Sequence, residues 1–160
     1  MLLNLVLGKL PPVLAVVMTL GAIPAIAEPS NFGILTLSQG FSPSQGSASG
    51  IAGGTSSLSS LAQKDTNNNK CLGFASPTPD HLLVLQKDFT GLTIQINSRG
   101  QDTTLLVMGP ENQVFCGDDT SSSKDASISH PNWKAGTYRI WVGSIDEGAK
   151  LKYNLSVEEN

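Results

Sequence analysis

The C-terminal stretch from Lys150 alternates without interruption. Leu151, Tyr153, Leu155 and Val157 are apolar, while Lys150, Lys152, Asn154 and Ser156 are polar. That period of two sets one face of a strand on a core and the other in water. Leu92–Asn97 repeats the pattern, with Leu92, Ile94 and Ile96 opposed to Thr93, Gln95 and Asn97, and in Gly136–Val142 the residues Tyr138, Ile140 and Val142 oppose Arg139 and Trp141. Three shorter apolar runs, His81–Leu85, Thr103–Met108 and Gln113–Cys116, are bounded by turn signals such as Ser76-Pro77-Thr78-Pro79-Asp80 and Gly109-Pro110. No segment holds helical periodicity over ten residues. Short strands, frequent turns and no helix predict an all-β chain folded as an antiparallel β-sandwich of jelly-roll type.

Upstream of Cys71 the pattern changes twice. Residues 1–27 read as an export signal: Lys9 is the only charge before Glu28, Leu10–Ile26 is almost wholly apolar, and Ala25-Ile26-Ala27 is a small-x-small cleavage site. Apolar residues before Lys9 depart from the usual charged start. A membrane anchor is the competing reading of this stretch, but Pro11, Pro12 and Pro24 interrupt it and it falls short of the ~20 residues of a spanning helix. No membrane span is expected after cleavage. Asn31–Leu37 is a short apolar segment, and Ser38–Asn69 is rich in Ser, Gly, Asn and Gln with Phe41, Ile51, Leu58 and Leu61 as anchors. A flexible linker needs a domain on each side, so residues 28–70 are expected to lie partly packed on a sandwich formed by residues 71–160.

Composition narrows the function classes. Charged residues are 14% of the 160-residue chain, against roughly 25% in ordinary soluble domains, which excludes a charge-laced helical bundle. The net charge of -3 falls to -4 when Lys9 leaves with the leader, and no basic cluster tracks a phosphate backbone, so nucleic acid is not an expected partner. The two cysteines, Cys71 and Cys116, lie in an exported chain and are expected to form one disulfide.

Candidate chemistry is sparse. His81 begins an apolar run and reads as a strand-end residue, and His130 precedes Pro131 in an exposed-looking loop; no complete set of base, nucleophile and orienting partner assembles from the residues available. Gly46-Ser47-Ala48-Ser49-Gly50 fails the nucleophile-elbow pattern because Ala48 stands at its centre, and Asp65–Lys70 fails as a calcium loop because Lys70 replaces the required glycine. No catalytic residue is assigned. Asp118-Asp119 is a better cluster: adjacent carboxylates repel unless a hard cation or solvent screens them, so a Ca²⁺ site using Asp118, Asp119 and Asp102 or Asp125 is chemically sensible. A solvated acidic turn is the alternative. Trp133, Tyr138, Trp141 and Tyr153 gather toward the C-terminus, and Trp133, Trp141 and Arg139 are the candidates for a ligand-binding surface. The competing placement puts Trp141 inside the sandwich or beneath the Ser/Gly-rich segment. Asn154-Leu155-Ser156 has the sequon pattern but falls mid-strand.

Three motifs in fixed order carry a family likeness. Asp102-Thr103-Thr104-Leu105, then Cys116-Gly117-Asp118-Asp119, then Gly136-Thr137-Tyr138-Arg139-Ile140-Trp141-Val142 together resemble the bacterial pre-peptidase C-terminal domain over residues 71–160. The resemblance implies an exported β-sandwich module without catalytic residues, and related collagen-binding modules use acidic residues for calcium, matching Asp102, Asp118 and Asp119. The usual preceding protease domain is not expected here. The expected function is therefore a secreted or periplasmic, non-enzymatic module of the bacterial envelope that binds a surface polymer or protein. A structural or stress-related envelope protein is the alternative, and a small secreted hydrolase ranks below both.

Overall fold

The computed structural model describes residues 28–160, so the expected leader and its cleavage site lie outside the described residues. In chain order the strands are β1 (Ile34–Leu37), β2 (Ser47–Ala52), β3 (Ser56–Ser57), β4 (Phe74–Ala75), β5 (His81–Leu85) and β6 (Leu92–Asn97). There follow β7 (Thr103–Met108), β8 (Val114–Gly117), β9 (Ser127–His130), β10 (Gly136–Ser144) and β11 (Leu151–Glu159). Short 3-10 turns at Leu58–Ser60 and Pro110–Asn112 are the only helical pieces among the described residues. None is long and apolar enough to cross a membrane.

The strands form a seven-stranded and a four-stranded sheet packed as a β-sandwich. β10 is the hub of the larger sheet, pairing with β5 over Gly136–Ile140 on one edge and with β7 over Arg139–Ser144 on the other. β8 adds beyond β7, β1 adds beyond β5, and the short β3–β4 pair continues from Ser144 opposite Phe74. The smaller sheet runs β2-β11-β6-β9, with every pairing antiparallel. The chain changes sheet before and after β2, β6 and β9 and again between β10 and β11, the crossing habit of a jelly roll.

One pairing departs from the antiparallel expectation. β1 runs parallel to β5, with Ile34 beside Leu82 and Leu37 beside Leu85, because the chain reaches β5 only after an excursion through β2 in the other sheet. The upstream segment is thus woven into the fold: β1 belongs to one sheet and β2 to the other, and the sandwich does not begin at Cys71.

Two cores result. Between the sheets, Leu83, Leu85, Leu105, Val107, Ile140 and Val142 meet Ile94, Ile96, Tyr153, Leu155 and Val157, as alternation requires. The opposite face of the larger sheet carries a second cluster. Trp141, Leu106 and Cys116 stand side by side in register across β10, β7 and β8, and Leu58, Cys71 and Ala75 close over them. The disulfide Cys71–Cys116, with Cα atoms 5.2 Å apart, fastens this third layer to the sheet.

Gly53, just past β2, has φ +100°, and a Cβ there would strike the Ala149 carbonyl. Gly53→Ala is expected to cost at least about 2 kcal/mol in denaturant unfolding. Gly40→Ala, at φ +73° with nothing within 4 Å, should cost only about 1 kcal/mol. Equal losses would refute the steric argument.

Candidate functional site

The β7–β8 pairing puts Leu105 opposite Gly117, so the residues just before β7 and just after β8 must converge at the open end of this pair. They are Asp102, Asp118 and Asp119, which each bring a carboxylate oxygen within 4.8 Å of the others. Asp118 Oδ1 is buried and has no hydrogen-bond partner. Burial raises the Asp118 pKa; the charges of Asp119 and Asp102 add to this, and the Asp119 backbone N–H opposes it. Lys124 Nζ stands 3.0 Å from Asp102 Oδ2 at the surface, and that partner raises the lysine's own pKa. Ser144 Oγ and the Ile145 N–H both donate to the Asp102 carbonyl, at 3.2 and 3.4 Å, fixing the turn. Three converging carboxylates with an orphaned oxygen are a donor set for a hard cation such as Ca²⁺.

Asp125 is committed elsewhere. Its carboxylate accepts from the Ser98 N–H at 2.7 Å, the Ser98 hydroxyl, the Gly100 N–H at 3.2 Å and Ser123 Oγ at 3.1 Å. Burial pushes its pKa up, but the Ser98 and Gly100 hydrogen bonds outweigh burial and hold the group below the usual range. It ties the β6–β7 connection and does not join the acidic turn. Asp65 is likewise a turn former, accepting from the N–H groups of Asn67 and Asn69 at 2.9 and 2.8 Å.

The expected surface of Trp133, Trp141 and Arg139 does not exist, and this corrects the sequence reading. Trp133 is fully buried in the inter-sheet core, its ring 4.8 Å from Phe115 and 5.2 Å from Tyr138, with Nε1 donating to the His130 carbonyl. Trp141 is 4% exposed, on the other side of the sheet under the disulfide layer. Arg139 alone is exposed, and it pairs with Glu28. Truncating either indole would therefore test packing, not binding.

Neither histidine is presented as a base. His130 lies against Phe115, ring centres 4.7 Å apart. His81 is fully buried and shares a 2.8 Å hydrogen bond between Nε2 and the Tyr153 hydroxyl. Burial drives its pKa down to about 4, partly offset by the Phe32 backbone. Beside it, buried Asp80 accepts from the Val142 N–H at 2.7 Å and from Asn31 at 3.3 Å. Desolvation outweighs both bonds and pushes Asp80 up to about 6. Burial also raises the Tyr153 phenol, with the Asp80 charge adding to it.

A feature that sequence reasoning missed lies on the outer face of the four-stranded sheet. A shallow cavity of about 820 Å³ is bordered by Arg99, Lys150, Lys152, Asn97 and Asn154. A second hollow of about 360 Å³ shares Ser49, Asn97 and Asn154 with it and extends to Ser47 and Ser156. The outward alternation of Lys150, Lys152, Asn154 and Ser156 was visible in the sequence, but their neighbours on β2 and β6 were not. Register supplies them, setting Asn154 between Ser49 and Asn97.

No family model and no curated protein matches the chain. Among solved structures the chain is similar to the pre-peptidase C-terminal domain of a collagenase from Bacillus anthracis, with 15% identity and a TM-score of 0.45 over 83% of this chain and 100% of that one.

Proposed function

We propose that this chain is an exported, non-catalytic β-sandwich module that binds a polymer or protein of the bacterial envelope or extracellular space. One observation carries the reading. Asp80, His81 and Tyr153, whose proton affinities burial shifts strongly, are sealed in the core, while a shallow trough lined by polar side chains lies open over one sheet. The disulfide fits an oxidising compartment. The module is expected to be retained on at least one of insoluble peptidoglycan, cellulose and collagen, and failure on all three would overturn the binding role.

Calcium is the second part of the proposal. Asp102, Asp118 and Asp119 would hold the ion, which would supply the charge that Asp118 Oδ1 lacks and tie the start of β7 to the end of β8. Calorimetric unfolding should show a higher midpoint in Ca²⁺ than in chelator, corresponding to about 2.7 kcal/mol of added stability when the ion is at a hundred times its Kd. Asp118→Asn should abolish the difference. Equal midpoints for the wild type would sink the calcium site.

A further inference from the structure

Lysine and arginine are scarce in this acidic chain, yet three of them border one trough. Arg99 sits at the tip of the β6–β7 connection, Lys150 immediately precedes β11 and Lys152 is its second residue; all three are exposed. No carboxylate lines the trough, and none of the three cations is ion-paired among the described residues. Beyond this cationic end, Asn154 and Asn97 stand side by side with Ser49, whose hydroxyl donates to Asn154 Oδ1 at 2.9 Å. The adjoining hollow adds Ser47 and Ser156. The result is a continuous strip across β2, β11 and β6, cationic at one end and amide- and hydroxyl-bearing along the rest.

From this we infer that the trough binds an extended anionic polysaccharide, its carboxylate or sulfate groups on Arg99, Lys150 and Lys152 and its hydroxyls on Asn97, Asn154 and Ser49. The inference rests on the reading of the chain as a binding module and names its ligand class. Three arguments select that class. Charge complementarity is the first: an arginine fork and two ammonium groups with no competing carboxylate attract an anion. Second, side-chain amides and hydroxyls both donate and accept, as sugar hydroxyls do. Third, no aromatic ring is offered for stacking, since Tyr153, the one aromatic in the lining, is only 3% exposed and its hydroxyl is bound to His81. That counts against nucleic-acid bases, which need stacking platforms and longer cationic tracks. Each exposed charge pair contributes little alone, so affinity must come from repetition along a polymer that also fills the second hollow.

The test is isothermal titration in calcium-free buffer with polygalacturonate, dextran sulfate and uncharged dextran. Binding to at least one anionic polymer and none to dextran is expected, with affinity falling tenfold or more between about 20 and about 300 mM NaCl. Arg99→Gln/Lys152→Gln should lose at least tenfold, while Lys87→Gln, outside the trough, should bind as wild type does. Which anionic polymer binds tells carboxylate from sulfate recognition. Equal affinity for dextran, an unaffected double variant, or tighter binding of polyglutamate or a thymidine homopolymer would overturn the inference. Retention on collagen or peptidoglycan that the double variant leaves unchanged would overturn it and leave the module reading standing. No retention on any polymer would remove both.

Discussion

Cys71→Ala/Cys116→Ala is expected to unfold at a free energy about 4 kcal/mol below that of the oxidised protein. The two cysteines are 45 positions apart, and releasing so long a loop returns that much chain entropy to the unfolded state. The loss should also have a location. Cys71 and Cys116 are part of the small core formed by Leu58, Ala75, Leu106 and Trp141, and nothing else covalent holds the Leu58–Ala75 layer to the sheet. This layer is short of regular structure, with one 3-10 turn and two-residue strands, so it should open before the sandwich does. Amide exchange is expected to rise across residues 58–75 and fluorescence to shift to the red as Trp141 meets water, while β11 stays protected. An unchanged denaturant midpoint in the variant would refute the stabilising role, and uniform loss of protection would refute the layered account.

The buried Asp80–His81 pair should add almost nothing to the pH dependence of wild-type stability between pH 4 and 6, and either single variant should uncover a steep added slope. The signs oppose. His81 is held down at about 4 against an ordinary 6.5, so in that window the unfolded chain takes up a proton that the folded one refuses, and stability falls as pH falls. Asp80 is raised from 3.8 to about 6, so the folded state keeps a proton that the unfolded one releases, and stability falls as pH rises. At about 1.4 kcal/mol per tenfold change in proton affinity, each contribution is about 3 kcal/mol, and the two nearly cancel. Asp80→Asn leaves the histidine slope, so its stability should climb from pH 4 to 6.5; its amide oxygen can still accept from the Val142 N–H. His81→Gln leaves the aspartate slope, so its stability should drop from pH 4 to 6. Other carboxylates titrate equally in all three proteins, and differences between the profiles isolate the pair. Parallel profiles from urea unfolding at each pH would refute the assignment.

Much of the fold is legible in the sequence. Alternation in β6, β10 and β11 is a local property: a strand turns successive side chains to opposite faces whatever its neighbours are, so Ile94, Ile140 and Leu155 declare themselves core residues. The disulfide was equally legible, because two cysteines in a chain expected to be exported leave one partner for each. Asp102, Asp118 and Asp119 could be named as a cluster from charge crowding and motif order. Asp125 could not be separated from them, because its fate depends on the Ser98 and Gly100 N–H groups, remote in sequence.

Trp141 marks where local information ends. Its alternation with Ile140 and Val142 says only that it faces away from the inter-sheet core; whether that side meets water or protein depends on Leu58, Cys71 and Ala75 folding back over it. The same holds for the parallel placement of β1 and for the cationic trough, which exists because β2 and β6 flank β11 in one particular register. Period and residue chemistry act within a few positions and decide which faces are apolar and which bonds can form. What covers each face is decided by contacts between distant segments, whose entropy of closure is offset only when the whole sandwich assembles.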